Sequence, residues 1–141
     1  MNAATGLPPS PPPADAAALP SSYRINEYEI ERPLGGGGFG ITYLARDGNL
    51  NLPVAIKEYF PADLALRGQN HTVLVRGGQT DVREQYDWGL ERFLDEARAL
   101  ATFRHPNIVR VLRYFRDNGT AYIVMEYESG LPLKRWVPQN A

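Results

Sequence analysis

The sequence predicts an α+β domain, a five-stranded antiparallel sheet with a single long helix. Two patterns and one turn predict it. Tyr28-Glu29-Ile30-Glu31 alternates apolar and acidic residues, and the β-branched, aromatic and apolar residues after Gly40 continue in strand fashion. From Asp81 to Arg104 the apolar positions Tyr86, Leu90, Phe93, Leu94, Ala97, Leu100 and Ala101 recur at threes and fours, the period of an amphipathic helix. Asn118-Gly119 then separates two further apolar runs, a dipeptide suited to a hairpin turn.

In chain order, residues 1–22 read as a disordered tail. Pro8, Pro9, Pro11, Pro12, Pro13 and Pro20 stand among runs of alanine, a composition that stiffens the backbone locally and offers little to bury. Globular composition begins at Tyr23, so residues 23–141 form the domain. Tyr28–Glu31 is the first strand, Gly40–Arg46 its hairpin partner, Asp47-Gly48-Asn49 a turn, and Val54–Tyr59 the third strand. Ala55, Lys57 and Tyr59 share a face of that strand, because side chains alternate with period two. Phe60-Pro61 ends it. Ala62–Arg76 reads as a short helical turn and a polar excursion with one weak strand at Thr72–Arg76. Thr80 or Asp81 caps the helix, and Pro106 closes it. Val109–Arg116 and Ala121–Tyr127 complete the sheet.

Composition removes several classes of function. The net charge of -1 over 141 residues gives no basic field for nucleic acid or a membrane surface. With no cysteine there is no disulfide framework, thiolate metal site or cysteine nucleophile. His71 and His105 lie far apart in the chain without clustered carboxylates, so no metal site is expected. No apolar run reaches membrane-span length and no signal peptide is apparent; a cytoplasmic chain is the expectation.

The chemistry concentrates in Leu34–Tyr43. Gly35, Gly37 and Gly40 fit G-x-G-x-x-G, where the lack of Cβ lets a backbone approach a phosphate closely. A dinucleotide site requires a helix directly after the glycines, but Ile41, Thr42, Tyr43 and Leu44 continue as a strand. A Walker A loop requires Gly-Lys-Ser/Thr at its end, but Ile41 follows Gly40. A glycine-tipped hairpin over phosphates remains, with Lys57 on the next strand.

Together the motifs resemble the small, ATP-binding lobe of protein kinases. Gly35–Gly40, Val54-Ala55-Ile56-Lys57, the helix carrying Glu96, His105-Pro106-Asn107-Ile108-Val109 and Val124-Met125-Glu126-Tyr127 occur in the order of that family. The wording around Gly38-Phe39-Gly40, Lys57-Glu58-Tyr59-Phe60-Pro61 and Phe93–Arg98 looks most like bacterial serine/threonine kinases of the eukaryotic type. The resemblance implies that amides of Gly35, Gly36, Gly37, Gly38 and Gly40 cover the ATP phosphates, with Phe39 shielding them. Lys57 then contacts the α- and β-phosphates, and Glu96 pairs with Lys57. Glu91 competes for that role but lies five residues earlier, rotated by roughly 140°, with Asp87 and Asp95 on the wet side. The resemblance further implies adenine between Leu34 and Ala55, Met125 at the back of the pocket, and backbone contacts from Glu126 and Glu128. Thr42 replaces the valine more usual in the family.

The implied activity is phosphoryl transfer from MgATP to protein serine and threonine hydroxyls. The 141 residues contain no H-R-D-x-x-x-x-N, D-F-G or A-P-E, so the base and the Mg²⁺ ligands of the family belong to a larger lobe that is missing here. The chain alone is expected to bind ATP weakly and to be inactive, its partners being ATP and either a protein substrate or that missing lobe. The alternative is a non-catalytic module that binds nucleotide or docks on another kinase.

Overall fold

The computed structural model describes residues 17–37, 39–77, 79–102 and 110–127. Among these residues eight strands and a long helix follow in order: β1 (Arg24–Ile25), β2 (Tyr28–Gly36), β3 (Gly40–Asp47), β4 (Leu52–Tyr59), β5 (Ala65–Arg67), β6 (Val73–Val75), α1 (Thr80–Thr102), β7 (Val111–Asp117) and β8 (Thr120–Glu126). The main sheet is antiparallel, in the order β1-β2-β3-β4-β8-β7. It therefore has six strands where five were expected. The added strand, β1, is only two residues long, too short for an alternation to show. The excursion after Pro61 also differs: β5 pairs with β6 across a short 3₁₀ turn at Gln69–His71, making a hairpin of two strands rather than one weak strand.

Register divides the side chains of the central strands between two faces. Directly opposed residues in an antiparallel pair share a face. On one face Thr42, Lys57 and Ile123 form a row, and Leu44, Ala55 and Met125 form the next. On the other, Tyr43, Ile56 and Val124 stand beside Glu58 and Tyr122.

Both faces are covered. Helix α1 buries Tyr86, Leu90, Phe93, Leu94 and Ala97, and the rings of Tyr86 and Phe93 lie 5.1 and 5.5 Å from that of Tyr59. The opposite face carries the β5–β6 hairpin and the segment from Ala17 to Ile25. Leu19, assigned to the tail by its proline- and alanine-rich surroundings, is 2% exposed and belongs to the core. Residues 17–22 thus pack on the sheet. Residues 1–16, Pro106 and the start of the strand expected at Val109 lie outside the described residues.

The turn at Asn118-Gly119 joins several of these layers. Both residues have positive φ. The Val73 amide donates to the Asn118 carbonyl at 2.8 Å, the Tyr86 hydroxyl donates to the Gly119 carbonyl at 2.7 Å, and the Asn118 side chain bridges the hydroxyls of Tyr23 and Tyr122. No described helix is long and apolar enough to cross a membrane.

Candidate functional site

The glycine stretch forms the tip of the β2–β3 hairpin. Gly36 pairs with Ile41, and Gly35 with Thr42 after a bulge at Leu34. The Gly37 amide donates to the Gly40 carbonyl at 3.0 Å, closing the turn. The glycines are not equivalent. A Cβ on Gly40 would collide with the Glu58 carbonyl, so the packing of β3 on β4 itself requires glycine there. Around Gly35 and Gly37 nothing among the described residues lies within 4 Å of a built Cβ. Neither has a positive φ, and the fold gives no reason of its own for glycine at either place. Phe39 projects beyond the turn at 74% exposure; its carbonyl accepts from the Phe60 amide at 2.9 Å. Gly38 lies outside the described residues.

Lys57 stands below this turn on the central strand. Its Cε is 3.8 Å from the Cβ position of Gly40, so the stem runs beneath the glycine tip. Burial holds its ammonium below the usual lysine range, and the Glu96 carboxylate opposes that shift. Glu96 is half-buried on the sheet-facing side of α1, between buried Phe93, Leu94 and Ala97. Glu91 points elsewhere, accepting from Arg116 at 2.7 Å on an exposed surface. The described ion pairs within 4.0 Å do not include Lys57 with Glu96; the carboxylate acts on the lysine across a wider gap.

Beyond Lys57 the same face becomes apolar. Thr42 is 8% exposed, Ala55 and Met125 are buried, and Leu34 is half-buried at its bulge. The exposed Glu126 ends β8 with its amide donating to the Arg110 carbonyl at 3.0 Å. Glu128 lies outside the described residues. Among the described residues no three His, Cys, Asp or Glu side chains gather in a way that could hold a metal ion.

An open glycine turn, a lysine beneath it, a carboxylate on the packed helix and an apolar end thus occupy one sheet face. A sequence profile of the protein kinase domain matches residues 28–141. The chain belongs to the protein kinase family. The described residues form its small lobe, an antiparallel sheet with one helix of the αC type.

Relatives of this kinase lobe include the serine/threonine-protein kinase Aurora-1 of Arabidopsis thaliana, 34% identical over 81% of the chain and 32% of the relative. The Aurora/IPL1-related protein kinase 2 of Caenorhabditis elegans is 36% identical over 77% of the chain and 29% of the relative. The chain therefore spans about a third of the length of these curated relatives. Among solved structures, the apo form of PpkA-294 superposes with a TM-score of 0.78 at 45% identity, over 84% of the chain and 41% of that structure.

Two features of the lobe escaped the sequence reading. Glu58, next to Lys57, is fully buried on the opposite face, bound to Arg67. Tyr59 reaches across to α1, its hydroxyl donating to the Tyr86 carbonyl at 2.9 Å. Apolar residues on both faces of β4 were the available signal, since a strand apolar on both sides is covered on both sides.

Proposed function

We propose that this chain is the ATP-binding part of a serine/threonine protein kinase of the bacterial, eukaryotic-like type, acting in phosphoryl transfer from MgATP to protein hydroxyls. The observation that supports this best is the common face: Thr42, Ala55, Lys57 and Met125 in adjacent cross-strand rows beneath an unfilled glycine turn. Gly35 and Gly37 leave room for phosphate to approach the backbone of the turn closely. The Lys57 ammonium supplies positive charge in a partly desolvated place, where Coulomb attraction to phosphate is stronger than in water. The Glu96 carboxylate favours the charged form of that ammonium against the burial that disfavours it. Leu34, Thr42, Ala55 and Met125 give the purine an apolar wall, with the backbone carbonyl of Glu126 at its edge.

The residues that hold Mg²⁺ and accept the substrate proton in this family have no counterpart in the 141 residues. Nucleotide positioning is accordingly the role assigned to this chain, and phosphoryl transfer to the complete kinase. A fluorescent ATP analogue titrated into the chain tests the assignment. Saturable binding displaced by unlabelled ATP is expected; binding that ATP does not displace would overturn it.

A further inference from the structure

We propose that the contact between Tyr59 and Gly89 is a register pin that sets helix α1 so that Glu96 faces Lys57, which makes Tyr59 and Gly89 positioning residues of the nucleotide site. The proposal rests on the reading of Lys57 and Glu96 as a phosphate-positioning pair. Tyr59 and Lys57 are two residues apart on β4 and share its helix-facing side. From there the Tyr59 ring lies against those of Tyr86 and Phe93, and its hydroxyl donates to the Tyr86 carbonyl at 2.9 Å. That hydroxyl occupies the space a side chain on residue 89 would need: a Cβ on Gly89 would collide with Tyr59 Oη, and would stand 3.2 Å from Cζ.

A glycine in the middle of a helix lowers its stability relative to alanine. Gly89 has no positive φ to justify it; the Tyr59 hydroxyl does. Helix geometry carries this contact to the site. Gly89, Phe93 and Glu96 follow at intervals of four and three, so Glu96 lies about 20° from Gly89 in azimuth and about 10 Å further along the axis. The side of α1 that receives Tyr59 is thus the side that presents Glu96. A helix pushed off Tyr59, or turned about its axis, takes the carboxylate away from Lys57.

The chain has two lysines, Lys57 and Lys134, so carbon-13 labelling of lysine followed by NMR titration of the full chain reads Lys57 with no nucleotide present. Glu96→Gln in the otherwise native chain is expected to lower the Lys57 titration midpoint, because the opposing carboxylate charge is gone. In Gly89→Ala most of that lowering disappears, since Glu96 has already moved away. Tyr59→Phe added to Gly89→Ala removes the colliding hydroxyl, and the response to Glu96→Gln returns to most of its native size. An unchanged response in Gly89→Ala overturns the proposal, and so does a folded double variant whose response stays lost. If Gly89→Ala alone does not fold, the double variant decides: folding restored with a response of most of its native size supports the proposal, and a lost response overturns it. A chain that behaves as expected in this titration but binds no ATP keeps the register pin and loses the nucleotide assignment.

Discussion

Glu58 and Arg67 form a buried two-pronged ion pair, with Arg67 Nη2 on Glu58 Oε1 at 2.7 Å and Nη1 on Oε2 at 2.9 Å. Each carboxylate oxygen accepts a second hydrogen bond, from the hydroxyls of Tyr43 at 2.7 Å and Tyr122 at 2.8 Å. Arg67 also donates from Nε to the Ala17 carbonyl at 2.9 Å, and the Leu19 amide donates to the Tyr43 hydroxyl at 3.1 Å. One carboxylate next to Lys57 therefore gathers β3, β4, β8, the β5–β6 hairpin and the N-terminal segment.

Glu58→Gln leaves the Arg67 guanidinium buried without its counter-charge. Removing one partner of a buried pair costs about 3–5 kcal/mol, and the variant is expected to lose stability of that order in urea denaturation. Glu29→Gln breaks the exposed pair with Arg24 and is expected to change stability by less than about 1 kcal/mol. Similar losses in the two variants would contradict the clamp.

The glycines of the turn should separate into two classes. Gly40→Ala forces a Cβ onto the Glu58 carbonyl, and overpacking of this kind costs about 1–3 kcal/mol. Gly35→Ala and Gly37→Ala meet nothing among the described residues, so their stability should stay within about 1 kcal/mol of the parent while ATP affinity falls. Unchanged ATP affinity in both would remove them from the phosphate role. Paired denaturation and nucleotide titrations supply both readings.

Alkaline pH offers a third test, because two kinds of shift oppose one another. The Lys57 pKa is lowered on folding by burial, so the unfolded chain binds more protons and stability rises as pH climbs toward the ordinary value of 10.5. Burial raises Tyr43, Tyr59, Tyr86 and Tyr122 above the ordinary value of 10.0. The stability they contribute is complete below that value and is lost above it. Stability measured by urea midpoints should therefore fall steeply above pH 10, and the gap between Lys57→Met and the parent should narrow as pH rises toward 10.5. A gap independent of pH would mean that Lys57 is not desolvated.

Much of the candidate site is legible in the sequence because it depends on local periods. Alternation alone puts Ala55 and Lys57 on one face of β4, and helix geometry alone puts Glu96 on the packed side of α1 and Glu91 on the other. The rest depends on contacts between distant segments. Arg67 meets Glu58 only after the chain has turned back through the β5–β6 hairpin, and nothing local distinguishes Glu58 from a solvated glutamate. Leu19 is hidden among prolines and alanines until the sheet face that receives it exists. Gly89 looks like a flaw in a helical pattern until Tyr59 is seen against it.

The central claim is that Lys57 meets nucleotide phosphate beneath the glycine turn, and calorimetric titration of ATP into the chain and its Lys57→Ala variant tests it most directly. A charge-assisted hydrogen bond contributes about 1.5–3 kcal/mol, so the variant should bind ATP roughly ten- to a hundredfold more weakly with its fold intact by circular dichroism. Equal affinity in the two proteins would contradict the account.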